Sequence, residues 1–275
     1  MFPDDGITKG ELAAYYEAIA PLMLPHLRNR PVTMERYHRG IGDKGFFQKN
    51  VAKGPPWLER VTVPKKDGVV NYPLIADTRG VMWLANQNCI TPHVWTSRAP
   101  RLEYPDLCVF DLDPLDEDLA VLRAATLLLR DFLVELGCTP WVKTSGSKGY
   151  HVVVPLDGSV HYGQVARFAH AAGRALVQRD PQHLTQEFYK ADRGGRILVD
   201  TGRNEFGATY AATYAVRPKP GAPISAPCTW DEVESGVVGP RTITLRSMLG
   251  RIAAVGELWS ELHARPCALP TRSMS

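Results

Sequence analysis

The stretch VFDLDP, residues 109–114, sets two carboxylates one residue apart inside an apolar run. This feature most narrows what the chain can fold into. A strand alternates its faces, so Asp111 and Asp113 share one face while Phe110 and Leu112 point to a core on the other. The two acidic α-carbons then stand roughly 7 Å apart. Like charges that near raise each other's pKa unless a cation lies between them, and an all-oxygen donor set favours a hard divalent ion, magnesium or manganese. The plain alternative is a solvated strand end, because Pro114 stops the strand directly afterwards. Asp116, Glu117 and Asp118 open the next helix, where negative charge suits the dipole. They do not extend the pair into a calcium loop, which needs Gly at its sixth position and Glu at its twelfth.

Around this strand the chain reads as an interleaving of helices and strands. TKGELAAYYEAIAPLMLPHL opens with a capping box, Thr8 and Glu11, and predicts a helix kinked or ended near Pro21 or Pro25. RVTV and VVNYPLI around Asp67–Gly68 predict a hairpin with a type I′ turn. TRGVMWLANQNC is helical. LCVFDLD is a strand, followed by a long helix ending at Gly137. TPWVKTS and YHVVVPL form a strand pair around a Gly-Ser loop, YGQVARFAHAAGRALVQRD is a helix and RILVD a strand. Strands near Thr209–Val216 and a helix from Thr242 to Ala264 close the chain. The class is α/β or α+β, built on a central sheet.

With 275 residues, 44% hydrophobic and 22% charged, the chain can bury one large core or two small ones. We expect one domain over 1–275 with a core that can be two-lobed. No run of eighteen apolar residues occurs and the N-terminus is acidic, so we expect a cytoplasmic protein with no membrane partner. Five scattered cysteines, none in CxxC spacing, point to reduced, buried thiols rather than disulfides or zinc. A net charge of +3 permits nucleic-acid binding through a local patch without arguing for it.

Two further stretches carry chemistry. RILVD delivers Asp200 to a strand end as LCVFDLD delivers Asp113, and three strand-borne carboxylates are what a two-metal phosphoryl or nucleotidyl transfer site needs. The alternative for Asp200 is a turn residue. KTSGSKGYHVVV breaks two strands with Ser145, Gly146, Ser147, Lys148 and Gly149, whose amides, hydroxyls and ammonium suit a polyphosphate. A strand rather than a helix follows, so this is not a Walker A loop. His151, two residues into that strand, reads as a core or rim histidine. PKKDG contains a KxDG pattern with Lys65 in the place of a ligase nucleophile, but Asp67–Gly68 lies at a hairpin turn and Val70 stands where the ligase pattern has Arg.

VFDLDP, then TSGSKGYH, then VD before RN resembles, in that order, the archaeo-eukaryotic primase superfamily. Within it the chain is similar to the polymerase domain of bacterial ligase D, through RPVTMERY, GFFQKN, WLANQNCITPHVW, GATYAATYAVR and PISAPCTWDEV. The resemblance implies a primase-like α+β fold, a central mixed or antiparallel sheet flanked by helices. It implies metal ligands at Asp111, Asp113 and Asp200 for two Mn²⁺ or Mg²⁺ ions, and triphosphate contacts at Ser145, Ser147, Lys148, His93 and Arg217. Lys49 matches a basic residue near the nucleotide, Arg193 a loop arginine that helps admit it, and Arg203 a position that is an amide in some relatives. Lys9 matches a lysine that holds a DNA 5′-phosphate.

The activity implied is template-dependent nucleotide addition to DNA 3′-hydroxyls at gaps or synapsed breaks, with a preference for ribonucleotides, in end joining or gap repair. Ku and a DNA ligase are the implied partners, and the bacterial nucleoid the implied place of work. Relatives carry ligase and often nuclease domains that these 275 residues do not contain, so the chain is expected to be an excised domain or a stand-alone enzyme. Three readings share parts of the same residue set: a primase that starts chains without a primer, a DxD phosphohydrolase with Asp111 as nucleophile, and an inert nucleic-acid-binding module. Pro114 stands against the second, and the intact carboxylates against the third.

Overall fold

The computed structural model describes residues 1–116 and 118–269, so the expectation for Glu117 lies outside the described residues. From the N-terminus come α1 (Lys9–Leu27), β1 (Val32–Arg36), β2 (Phe46–Gln48), β3 (Arg60–Lys65), β4 (Gly68–Pro73), α2 (Thr78–Asn86) and β5 (Cys89–Val94). Next are β6 (Leu107–Asp113), α3 (Leu119–Glu135), β7 (Trp141–Thr144), β8 (Tyr150–Pro155), α4 (Tyr162–Arg179), β9 (Leu184–Thr185) and β10 (Ile197–Asp200). Last come β11 (Tyr210–Ala211), β12 (Pro227–Cys228), α5 (Trp230–Ser235) and α6 (Leu245–Val255). The chain divides into two compact units, one of Met1–Pro100, Thr209–Ala226 and Ile243–Glu257, the other of Arg101–Ala208, Pro227–Thr242 and Leu258 onward.

The first unit holds an antiparallel sheet in the order β11-β5-β1-β2, with α1 packed on α2 and α6. The Thr8–Glu11 capping box forms, Glu11 N–H donating to Thr8 Oγ1 and Thr8 N–H to Glu11 Oε2. Leu12, Tyr15, Tyr16, Ile19 and Met23 make the buried stripe. Contrary to the expected kink or stop, α1 runs unbroken past Pro21 and Pro25 to Leu27. Both prolines lie on the exposed face, where water can satisfy the carbonyls they leave without donors. The β3–β4 hairpin is present, but its turn is Lys66–Asp67, and positive φ falls only at Gly68 (116°). A type I′ turn needs positive φ at both central residues, so the turn is not type I′, although the register stays regular up to the Lys65–Gly68 pair.

The second unit is built on a six-stranded sheet in the order β12-β7-β8-β6-β10-β9, antiparallel except where β9 joins β10. This is the mixed sheet the resemblance implies, with α3 packed on β8 and α4 on β6. Val109, Phe110, Leu112, Val152, Val153 and Val154 are fully buried, each stabilising by about 1.5 to 3 kcal/mol. Gly137 ends α3 with positive φ, as expected.

Near the C-terminus two expectations are corrected. The strand near 209–216 is two residues long, because the chain turns at Tyr214, whose φ is +68°. The helix expected over 242–264 stops at Val255, where Gly256 takes φ +75°. All five cysteines are free and buried, in line with their scatter. No helix among the described residues is long and apolar enough to cross a membrane.

Candidate active site

One face of the six-stranded sheet carries a polar row in register across four strands. Lys143 on β7 pairs with His151 on β8, His151 with Asp111 on β6, and Asp111 with Asp200 on β10. Directly opposed residues of an antiparallel sheet share a face, and Asp113, two residues along β6, joins them. Lys143 and His151 are buried, whereas the Asp113 side chain is 41% exposed and those of Asp111 and Asp200 remain partly open. The three carboxylates of the sequence analysis therefore do converge. His151, read as a core histidine, is buried but belongs to the site, its Nε2 3.5 Å from Asp111 Oδ1.

Two arginines neutralise the row. Arg203 Nη2 lies 3.1 Å from Asp200 Oδ2 and 3.4 Å from Asp111 Oδ2, and Arg193 Nη1 lies 3.0 Å from Asp113 Oδ2. Burial pushes the Asp200 carboxyl up, Arg203 pulls it down, and Asp111 and Asp113 push it up again, leaving it above the ordinary aspartate value. Among the described residues no three Asp, Glu, His or Cys side chains already stand at metal-ligand spacing. Yet Asp111 and Asp200 converge on one cationic nitrogen, which stands in for a cation there, and Asp113 lies alongside. Those all-oxygen donors fit a hard divalent ion.

The Gly-Ser loop is shaped from within. Ser145 Oγ accepts the N–H groups of Ser147 and Gly149, 3.1 Å each, and Gly146 turns with φ +64°. Gly149 lies against β6 so closely that a Cβ there would come 1.6 Å from the Leu112 carbonyl oxygen. The loop is thereby fixed beside the strand end that carries Asp113. Lys148 Nζ donates to the Leu115 carbonyl at 2.7 Å, and Arg241 donates to that of Ser147. Below them opens a cavity of about 350 Å³, lined in part by Pro114, Asp118, Leu122, Lys148 and Arg241.

In the first unit the expected nucleotide contacts cluster around an acid that sequence reasoning missed. His93 on β5 lies 2.9 Å from Glu35 Oε2 on β1, and Tyr37 O–H donates to Glu35 Oε1 at 3.0 Å. Burial pushes the Glu35 carboxyl up, but the His93 and Tyr37 hydrogen bonds and the charge of Arg217 outweigh it and hold it below its ordinary value. Arg217 follows Val216, whose N–H donates to Tyr16 Oη and whose carbonyl accepts from Thr91 Oγ1. Phe47 meets the His93 ring edge-on, with the exposed Lys49 two residues further. Lys9 is spent on the last carbonyl of α2, Nζ to Asn86 O at 2.8 Å.

Lys143 and Asn204 were also missed. Lys143 had a signal, a charged residue inside the strand WVKT at the same period-two phase as Ser145. Asn204 had none, because its role depends on a tertiary contact. It is fully buried, donates to Val109 O and accepts Val109 N–H, tying the turn after β10 to β6.

Residues 8–259 match the model of the LigD primase-polymerase domain family. The chain is 33% identical over 280 residues to the multifunctional non-homologous end joining DNA repair protein LigD of Mycobacterium tuberculosis, covering 96% of this chain and 36% of that protein. It is 28% identical over 269 residues to the bifunctional non-homologous end joining protein LigD of Bacillus subtilis, covering 97% and 43%. The chain thus spans less than half the length of these curated relatives. Among solved structures, the polymerase domain from Mycobacterium tuberculosis ligase D in complex with DNA superposes with a TM-score of 0.89 at 33% identity, covering 97% of this chain and 96% of that one. The chain belongs to the LigD primase-polymerase domain family, a family of DNA-directed nucleotidyltransferases.

Proposed function

We propose that this chain adds nucleotides, ribonucleotides by preference, to a DNA 3′-hydroxyl at gaps or synapsed double-strand breaks in end joining. The observation that carries this reading is the convergence of Asp111 and Asp200 on one cationic nitrogen with Asp113 alongside. The DNA bound in the related polymerase-domain structure supports DNA as the partner. Asp111, Asp113 and Asp200 would hold two divalent ions, Mn²⁺ or Mg²⁺, with Asp111 and Asp113 shared between them and Asp200 serving the ion that activates the 3′-hydroxyl. Bound there, such ions lower the pKa of the attacking hydroxyl and neutralise the departing pyrophosphate.

The chain's own residues supply the rest. Ser145 shapes the loop that presents the Ser147 hydroxyl and the Lys148 ammonium to phosphate oxygens, Lys148 leaving Leu115 O to do so. His93, Arg217 and Lys49 are the first unit's triphosphate contacts, and charge-assisted hydrogen bonds from them gain strength as charge moves onto the leaving group. Glu35 keeps the His93 ring oriented. Arg193 and Arg203 act at the rim of the carboxylates toward nucleotide and DNA. Lys9 takes a 5′-phosphate across the gap by releasing Asn86 O. The protein works in the cytoplasm at the nucleoid, beside Ku and a DNA ligase.

Primer extension on gapped DNA tests this, with ribo- and deoxynucleotides, each metal, and a 5′-phosphate or 5′-hydroxyl at the far side. We expect metal-dependent extension, faster with ribonucleotides, and tighter binding of the phosphorylated gap. Synthesis without a primer, together with equal binding of the two gaps, overturns the gap-filling reading in favour of a primase.

A further inference from the structure

The two arginines on the carboxylate row are held in different ways. Arg193 has a side chain 4% exposed and donates to the backbone carbonyls of Glu187, Phe188 and Asp113 as well as to the Asp113 carboxylate. Arg203 is 41% exposed, and its contacts are the two carboxylates, reached by one nitrogen. Moving the Arg203 guanidinium into water therefore leaves no backbone acceptor unmet, whereas moving that of Arg193 leaves three.

The base of the Arg203 side chain, by contrast, is fixed. The adjacent Asn204 is fully buried and bonded to both the N–H and the carbonyl of Val109, and its Nδ2 also donates to Thr201 O at 2.9 Å. Asp200 Oδ1 accepts Gly202 N–H at 2.8 Å, which closes the same turn. A tethered backbone and a tip that can reach water let one residue enter and leave the same place repeatedly. Charge points the same way. Arg203 alone touches two of the three carboxylates, so its withdrawal leaves the row one unit more negative where Asp111 and Asp200 meet, which favours a cation there.

We propose that Arg203 is the resident counter-ion of the carboxylate site, holding Asp111 and Asp200 together until a divalent cation displaces its guanidinium, and so setting how weakly the protein holds metal before substrate arrives. This rests on the reading of the three aspartates as metal ligands and adds to it a positioning residue that competes with the metal. Without Arg203 the carboxylates repel each other in the metal-free protein and bind the first ion more tightly. With it, the free protein is pre-formed but poorly metallated, and the guanidinium is released toward solvent as the ion enters.

The test is a Mn²⁺ titration of the protein without nucleotide or DNA, followed by the spin signal of free Mn²⁺, on the unmodified protein, Arg203→Gln, Arg203→Lys and Asp111→Asn. We expect Arg203→Gln to bind Mn²⁺ about three- to thirty-fold more tightly, the range set by one to two partly exposed ion pairs. Arg203→Lys should fall between, since it keeps the charge but loses the fork. In chelator, Arg203→Gln should melt below the unmodified protein and gain more in Tm on adding Mn²⁺, which also reports that it folds. Unchanged or weaker Mn²⁺ binding in Arg203→Gln, where Asp111→Asn still abolishes binding, overturns the role of Arg203 alone. Mn²⁺ binding that survives Asp111→Asn overturns the metal-ligand reading beneath it.

Discussion

At the scale of single residues, the site separates groups by whether their charge can be compensated locally. Asp113 is the most exposed of the three carboxylates and packs against no core. On the proposed function, in which Asp113 is a shared metal ligand, Asp113→Ala should lower nucleotide addition at saturating metal by more than about a hundred-fold. The fold should persist, and retention of over a few per cent of extension activity removes Asp113 from catalysis. Glu35 behaves differently. Its folded pKa lies below the ordinary value of 4.5, so its contribution to stability is complete above that value and is lost as pH falls through the lower folded pKa. Glu35→Gln should thus destabilise by about 1 to 2 kcal/mol at pH 7 and by less near pH 3, below the ordinary value of 4.5. Urea unfolding at both pH values checks it, and a difference that grows in acid contradicts the assignment. The aspartates were legible in the sequence because alternation in a strand fixes where they point. Glu35 was not, since an acid beside expected phosphate contacts makes sense only once His93, Tyr37 and Arg217 are seen around it.

Elements were legible where local chemistry decides them. The Thr8–Glu11 capping box, the Gly137 stop and the period-two run of β6 depend on near neighbours and were read correctly. The misreadings differ in cause, one in where the element faces and the other in a local glycine stop. Pro21 and Pro25 do not break α1 because water reaches the exposed face, and the C-terminal helix ends early because Gly256 takes positive φ. The turn after β10 is held by tertiary contact through Asn204, so its strength can be measured there. Asn204→Ala leaves the Val109 N–H and carbonyl buried without their partners and should cost about 2 to 4 kcal/mol in chemical denaturation. It should also loosen Arg203, raising the protection-free exchange of the Val109 amide. A loss below about 0.5 kcal/mol would show that β6 does not need the clamp.

At the scale of the whole molecule, the sequence showed enough apolar content for two cores but not which segments share one. Residues 209–226 and 243–257 return to the first unit after the chain has entered the second, and pairings such as Tyr210 with Val94 lie far apart in the chain. Local periodicity carries no trace of them. The five cysteines, by contrast, behave as one property of the fold. All are buried, and burial pushes the thiols of Cys89, Cys108 and Cys138 up, away from the reactive thiolate. A small thiol reagent should find no fast-reacting group in the native protein and five after denaturation, and one rapid equivalent in the native state would contradict that burial. A protein with that result is silent toward maleimides. Val134 on α3 and Leu249 on α6 are exposed helix positions in different units, so Val134→Cys with Leu249→Cys gives a protein in which two spin labels attach only where they are placed. Their separation, recorded as metal, nucleotide and gapped DNA are added in turn, becomes a ruler for the catalytic cycle that no native sulfur disturbs.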